Sequence, residues 1–222
     1  MIELRAISKY SDTPSSKDYV LRDIDLDVKE GEFLSIIGSS ASGKSTLLNI
    51  IGMLESPSDG KYNFCGQEIR RLDKSRKNEI RSHFGYISPR YGLNRKLTVY
   101  KNMETHLLTG DLSVSERETK IVDMLERFHI APLRDFFPFQ LSQPQQQLAA
   151  IAKAVIANPK LILADEPTGN LNSRLSKGIM ELLKRLNRGG TTIIQATSRE
   201  NTAAYSNRIV SLNRQGGAFA SN

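Results

Sequence analysis

Residues 38–46 read Gly38-Ser39-Ser40-Ala41-Ser42-Gly43-Lys44-Ser45-Thr46, a complete G-x-x-x-x-G-K-[ST] phosphate loop. The motif constrains fold and ligand together. Its glycines let the backbone curl so that N–H groups converge on a polyphosphate. Lys44 supplies a point charge for the outer phosphates, and the Ser45 hydroxyl is placed to ligate Mg²⁺. Such a loop belongs between a buried strand and a helix whose positive end faces the anion. Both flanks comply. Phe33-Leu34-Ser35-Ile36-Ile37 is a short apolar run, and Leu47, Leu48, Ile50, Ile51 and Leu54 fit one face of a helix.

A second element supports the first. Leu161-Ile162-Leu163-Ala164-Asp165-Glu166 is an apolar strand ending in two carboxylates. Paired with a phosphate loop, Asp165 is placed to hold Mg²⁺ beside Ser45, usually through water. Glu166, one residue on, is a candidate to take a proton from an attacking water. Alone, the same residues would read as a surface turn before Pro167.

The remaining chain predicts an α/β core interrupted by a helical insert. Strands are expected at Ile2–Ile7, Ile24–Val28, Tyr62–Phe64, Phe84–Ile87, Thr191–Ala196 and Arg208–Leu212. From about residue 98 to 157 the periodicity turns helical, with Ile121, Val122, Leu125 and Phe128 in one helix. Leu148, Ile151, Ala152, Val155 and Ile156 mark another. A further helix is expected near Leu175–Leu186, and residues 216–222 read as a loose tail.

Composition excludes some classes. No run approaches the ~18 apolar residues of a membrane span. Met1-Ile2-Glu3-Leu4-Arg5 lacks a signal-peptide layout, and one cysteine, Cys65, cannot form an internal disulfide; both suit a reducing cytosol. The net charge of +7 is spread over dispersed basic residues. That favours a solvated basic surface with phosphate-binding groups over a nucleic-acid tract or a membrane-attracted patch.

In order and spacing, these elements resemble the nucleotide-binding domain of ABC transporters over nearly the whole chain. Leu141-Ser142-Gln143-Pro144-Gln145-Gln146-Gln147 stands where that family carries its Leu-Ser-Gly-Gly-Gln signature. Gly52-Met53-Leu54-Glu55-Ser56-Pro57-Ser58-Asp59-Gly60 and Ala164-Asp165-Glu166-Pro167-Thr168-Gly169-Asn170-Leu171 resemble one subgroup. It contains lipoprotein-releasing, macrolide-exporting and cell-division-associated ATPases. The resemblance implies a single domain over residues 1–222: a RecA-like mixed sheet flanked by helices, with an antiparallel β part. Its core would span about 1–87 and 157–222, with a helical subdomain at about 88–156.

The resemblance also implies function. ATP and Mg²⁺ bind at residues 38–46 and Asp165, with Tyr10 placed to stack on adenine; Tyr19 is a nearby competitor. Two ATPase subunits, identical or related, close around ATP, each contributing signature residues (here Ser142 and Gln145) to the nucleotide on the other. Closure drives an integral membrane permease-type subunit from the cytoplasmic face, and no DNA partner is expected. Phe136, Phe137 and Phe139 read as core residues, with docking on the membrane partner as the alternative.

Departures from the family pattern bear on catalysis. Ser198 stands at the switch histidine and is shorter and uncharged. His83, His106 and His129 read as ordinary surface or helix-end residues. Pro89 stands at a glutamine that contacts Mg²⁺ and water. Gln143 and Pro144 replace signature glycines, adding bulk and deleting an N–H. Ser142 with Gln145 still fits a capping box. Asn172 replaces an aspartate, the mildest change. In a heterodimer, Ser198 and Pro89 would weaken this chain's own site, and Gln143 and Pro144 its partner's. The expectation is retained ATP binding with slowed hydrolysis. The alternatives are an ATP-dependent regulatory clamp, a protein acting on nucleic acid or ribosomes, and a small phosphoryl-transfer kinase.

Overall fold

A computed structural model describes residues 1–10, 18–88, 92–108, 110–213 and 218–221. Two sheets organise it. The smaller is antiparallel, in the order β2-β1-β4-β5, from β1 (Ile2–Tyr10), β2 (Tyr19–Val28), β4 (Asp59–Phe64) and β5 (Gln67–Glu68). The larger runs β10-β9-β3-β8-β7-β6. Its strands β3 (Phe33–Ile37), β6 (Phe84–Ile87), β7 (Leu161–Asp165), β8 (Thr192–Thr197) and β9 (Arg208–Leu212) are parallel. β10 (Ala218–Ser221) closes one edge antiparallel to β9.

The central strands are apolar on both faces because both faces are covered, as expected of parallel strands. Alternate residues feed opposite cores. In β7, Leu161 and Leu163 join the core beneath α1 (Lys44–Ile51) and the antiparallel sheet. Ile162 and Ala164 join the other core. There they meet side chains of α3 (Val99–Leu107), α4 (Val114–Arg127), α5 (Gln143–Val155) and α6 (Ser173–Arg188). Helices α3, α4 and α5 all fall between β6 and β7, where the helical periodicity placed them. Buried Gln195 of β8 donates to Ser35 Oγ at 2.6 Å and to the Thr202 carbonyl at 3.0 Å. One amide thereby joins β8, β3 and the short α7 (Glu200–Ala203).

Several expectations are corrected. The residues expected as a loose tail include Ala218–Ser221, which form a strand, because β9 otherwise presents an open hydrogen-bonding edge; residues 216, 217 and 222 lie outside the described set. Leu54 does not continue the apolar face of α1. The helix ends at Ile51, Gly52 caps it, Met53 turns with φ 55°, and Leu54 is 55% exposed. Phe136 and Phe139 are not core residues, being 43% and 64% exposed, and Phe139 stacks on Phe137. The helix α2 (Lys74–Ser82) was not anticipated, since it has no buried residue and hence no apolar period.

Candidate functional site

β3, β8 and β7 are adjacent and parallel, so their carboxyl ends open on one edge, where α/β sheets bind ligands. The register sets Ile37 beside Thr197 and Asp165 beside Ala196. The phosphate loop, Glu166 and Ser198 therefore leave the sheet at nearly the same level, although they lie far apart in sequence.

The loop is built by handedness. Ala41 (φ 62°) and Gly43 (φ 92°) are left-handed, which turns successive N–H groups into a concave nest. Gly43 also has no room for a side chain, because a Cβ would sit 2.7 Å from the Val20 carbonyl and from Leu21 Cδ2. Ser39, Ser40 and Ala41 are exposed at the rim, and Thr46 is half-buried in the first turn of α1. That turn carries no acidic residue to neutralise the helix dipole. Lys44 is 8% exposed and donates to the carbonyls of Gly38 and Ser39, both at 2.8 Å. The buried Ser42 Oγ has no hydrogen-bond partner among the described residues. A nest, an unopposed helix N-terminus, a lysine and an orphan hydroxyl fit a polyphosphate.

Asp165 closes the site from β7. It is 4% exposed, and the Ser45 hydroxyl hydrogen-bonds to it. Burial raises its carboxyl above the ordinary aspartate range, the Ser45 hydrogen bond pulls it down, the Glu166 charge raises it and Lys44 lowers it. Among the described residues no three His, Cys, Asp or Glu side chains converge as a metal cage. A hydroxyl and one carboxylate beside a phosphate nest are the donor set Mg²⁺ takes when phosphates complete its shell. Tyr86 of β6 stands nearby; its phenol donates to Asn49 Oδ1 at 2.6 Å and is pushed up to about 12 by burial and the Asp165 charge.

Glu166 turns off β7 with φ 45°, a left-handed geometry costing a non-glycine residue about 1–2 kcal/mol. Its carboxylate is held from β8. The Ser198 N–H donates to Oε1 at 2.7 Å, and the Thr197 hydroxyl donates to Oε2 at 3.2 Å. Thr197 was invisible as a site residue in the sequence, because its partner lies 31 residues away and only the β7–β8 register joins them.

The remaining candidates fall around this centre. Tyr10 ends β1 opposite Tyr19, their rings edge-to-face at 4.9 Å. Tyr19 precedes the Val20 that covers Gly43, so the pair stands together at the loop's margin. Ser142 caps α5 by accepting from the Gln145 N–H, while Gln145 Oε1 accepts from the Ser142 N–H; the capping box is present. Gln143 is exposed, and Pro144 sits in the first turn, where a missing N–H is tolerated. Gln147, fully buried in α5, donates to the Pro167 carbonyl at 3.0 Å and so joins this helix to the loop behind Glu166. Asn172 caps α6. His83 caps α2 at its C-terminus, His106 lies in the last turn of α3 and His129 follows α4. Pro89 lies outside the described residues.

Comparison with known proteins agrees. The family model described as "ABC transporter" matches residues 21–169. The chain is similar to "Macrolide export ATP-binding/permease protein MacB 1/2" of Paracoccus denitrificans, 38% identical over 96% of this chain and 32% of that protein. It is similar to "Uncharacterized ABC transporter ATP-binding protein MJ1508" of Methanocaldococcus jannaschii, 36% identical over 96% of this chain and 95% of that protein. The chain thus spans about a third of the macrolide-export relatives and nearly all of the other. Among solved structures it superposes on "Dimeric Structure of MJ0796, a Bacterial ABC Transporter Cassette" with a TM-score of 0.93, 37% identity, and coverage of 98% of this chain and 96% of that one. It also superposes on the cassette's "post-hydrolysis state" "bound to ADP and Pi", with a TM-score of 0.95, 35% identity and coverage of 100% and 98%.

Proposed function

Because this chain belongs to the ABC transporter family, we propose that it is the ATP-binding subunit of a membrane complex, pairing with a second cassette around Mg-ATP. The observation that carries the proposal is the convergence of Lys44, Ser45, Asp165 and Glu166 at one sheet edge. The loop nest and the start of α1 bind the phosphates. Lys44 exchanges two carbonyls for phosphate oxygens, a stronger charge-assisted pairing. Ser45 and Asp165 hold Mg²⁺, which when bound neutralises charge on the transferred phosphate. Glu166, fixed from β8, takes the proton of the attacking water. The adenine-side residues are Tyr10 and Tyr19.

The dimer reading is supported by the MJ0796 cassette, which is described as dimeric and as bound to ADP and Pi after hydrolysis. In the closed pair, Ser142 and Gln145 face the nucleotide of the second cassette. Their side chains are engaged in the capping box, so what they offer is mainly the helix N-terminus. Gln143 and Pro144 make that end bulkier and poorer in N–H donors. Together with Ser198 they point to slow turnover, and to a clamp that works through ATP affinity for the closed pair.

A permease-type partner is supported by the macrolide-export relatives, which carry ATP-binding and permease parts in one name. No described helix is long and apolar enough to cross a membrane. A cleft of about 430 Å³, lined by Leu54, Arg81, Phe84, Tyr86, His106 and Lys153, offers the partner a docking groove. Gly92, His106, Ala150, Lys153 and Ala154, from the segment we read as the helical arm, form one side of it. On this reading the chain works at the cytoplasmic face of a membrane, beside its permease-type partner.

The test is ATP turnover by the complex captured from membranes with this chain as bait, against the same complex carrying Glu166→Gln. Turnover that falls at least ~100-fold identifies this site as hydrolytic. ATP binding with turnover indifferent to the substitution identifies a clamp, or hydrolysis by another subunit.

A further inference from the structure

Two segments enclose Glu166. One runs from Glu166 through Gly169 towards α6; the other, Ser198 and Arg199, follows β8. Thr197 and Ser198 bind the carboxylate itself. Arg199 binds the backbone around it. Its N–H donates to Thr197 Oγ1 at 3.1 Å, which leaves the Thr197 proton for Glu166. Its guanidinium spans the turn, Nη1 donating to the Thr168 carbonyl at 3.3 Å and Nη2 to the Gly169 carbonyl at 3.1 Å. The turn has other ties besides: Gly169 N–H returns to the Glu166 carbonyl, Leu171 N–H to Thr168, and Gln147 of α5 donates to the Pro167 carbonyl. The Arg199 guanidinium, however, is what links Thr168 and Gly169 to the end of β8. Thr168 is buried, yet its hydroxyl has no partner among the described residues. Among the described residues, no ion pair involves Arg199.

We infer that Arg199 is a positioning residue for Glu166. It pins the turn at Thr168 and Gly169 to the end of β8, so the carboxylate, the Ser198 N–H and the loop towards Asn172 keep one spacing. The Ser198 side chain is too short to bridge these segments, and the next residue supplies a fork that does. A guanidinium suits this task because it is planar and reaches two carbonyls from one anchor. Arg199 acts on the reaction only through the turn. The inference rests on Glu166 being the hydrolytic base.

The experiment combines steady-state ATP turnover over a range of ATP concentrations with amide hydrogen exchange of residues 166–171. Both are measured on the full chain in its complex, for wild type, Arg199→Met and Arg199→Lys. A mispositioned base is expected to lower kcat by ~10–100-fold in Arg199→Met while KM for ATP stays within about two-fold. Exchange should quicken at 166–171 and not elsewhere. Lysine, which can still donate to a carbonyl, should recover part of kcat. An unchanged kcat, or a rise in KM with kcat preserved, overturns the inference; the latter would mean direct nucleotide contact. Wild-type turnover indifferent to Glu166→Gln sinks the hydrolytic reading separately. In that event faster exchange confined to 166–171 keeps Arg199 as the pin of the turn, and unchanged exchange ends it.

Discussion

The backbone N–H of Ser198 donates to Glu166 Oε1 at 2.7 Å. The residue at the family's switch position thus grips the carboxylate through its main chain, whatever its side chain. Ser198 is itself exposed at the site's edge.

A side chain can therefore be exchanged there without cutting that bond. Ser198→His is expected to raise kcat about ten-fold or more, by returning a charged donor towards the terminal phosphate. Steady-state ATP turnover decides it. If turnover does not move, the limiting defect lies at the other departures, Pro89, Gln143 and Pro144, rather than at Ser198.

Asp165 makes stability depend on pH. Burial raises its folded-state carboxyl above the ordinary value of 3.8, against the downward pull of the Ser45 hydrogen bond. A raised carboxyl means that the folded chain binds this proton more tightly than the unfolded one. Its stabilising effect is complete below 3.8 and is lost as pH rises through the folded-state value. Asp165→Asn should therefore gain Tm relative to wild type as pH rises from 3.8 towards neutrality, without nucleotide or Mg²⁺. Thermal unfolding across pH checks this, and a constant Tm difference counts against it. The same variant should lose Mg²⁺-dependent turnover.

The start of α5 separates folding from grip. Ser142→Ala removes one half of the capping box and should cost about 1 kcal/mol in urea unfolding. Pro144→Gly restores an N–H at the helix end facing the second cassette. In a Glu166→Gln background it should tighten the ATP-dependent pair in sedimentation. It should also cost about 0.5–1 kcal/mol of stability through the freer unfolded chain. A pair no tighter than its parent would remove Pro144 from the explanation of slow turnover.

Two glycines should respond in opposite directions to alanine. At Gly38 a Cβ would stand 2.5 Å from the Leu212 carbonyl and 2.6 Å from Ser42 Oγ, so the phosphate loop must shift. Gly38→Ala should cost about 1–3 kcal/mol and weaken ATP binding. Gly178, exposed within α6, would meet nothing within 4 Å. Gly178→Ala should stabilise by about 0.5–1 kcal/mol. Denaturant midpoints of both variants, with ATP titration of the first, are the measurement.

What the sequence determined by itself was whatever depends on short spacing. The phosphate loop between β3 and α1, the strand ending in Asp165 and Glu166, the helix α6 and the Ser142–Gln145 box are all set by neighbours within a turn or a strand. Elements without an apolar period stayed hidden, as with the solvated α2 and the four-residue α7. Tertiary structure alone decided the rest. It seated β8 between β3 and β7, and so brought Ser45 to Asp165, and Thr197 and Ser198 to Glu166. It turned Leu54, Phe136 and Phe139 to solvent and gave the chain's end a strand to pair with. Arg199 belongs to this second group. Its partners, Thr168 and Gly169, are about thirty positions away, and only the hydrogen-bonded register of two parallel strands puts them within reach.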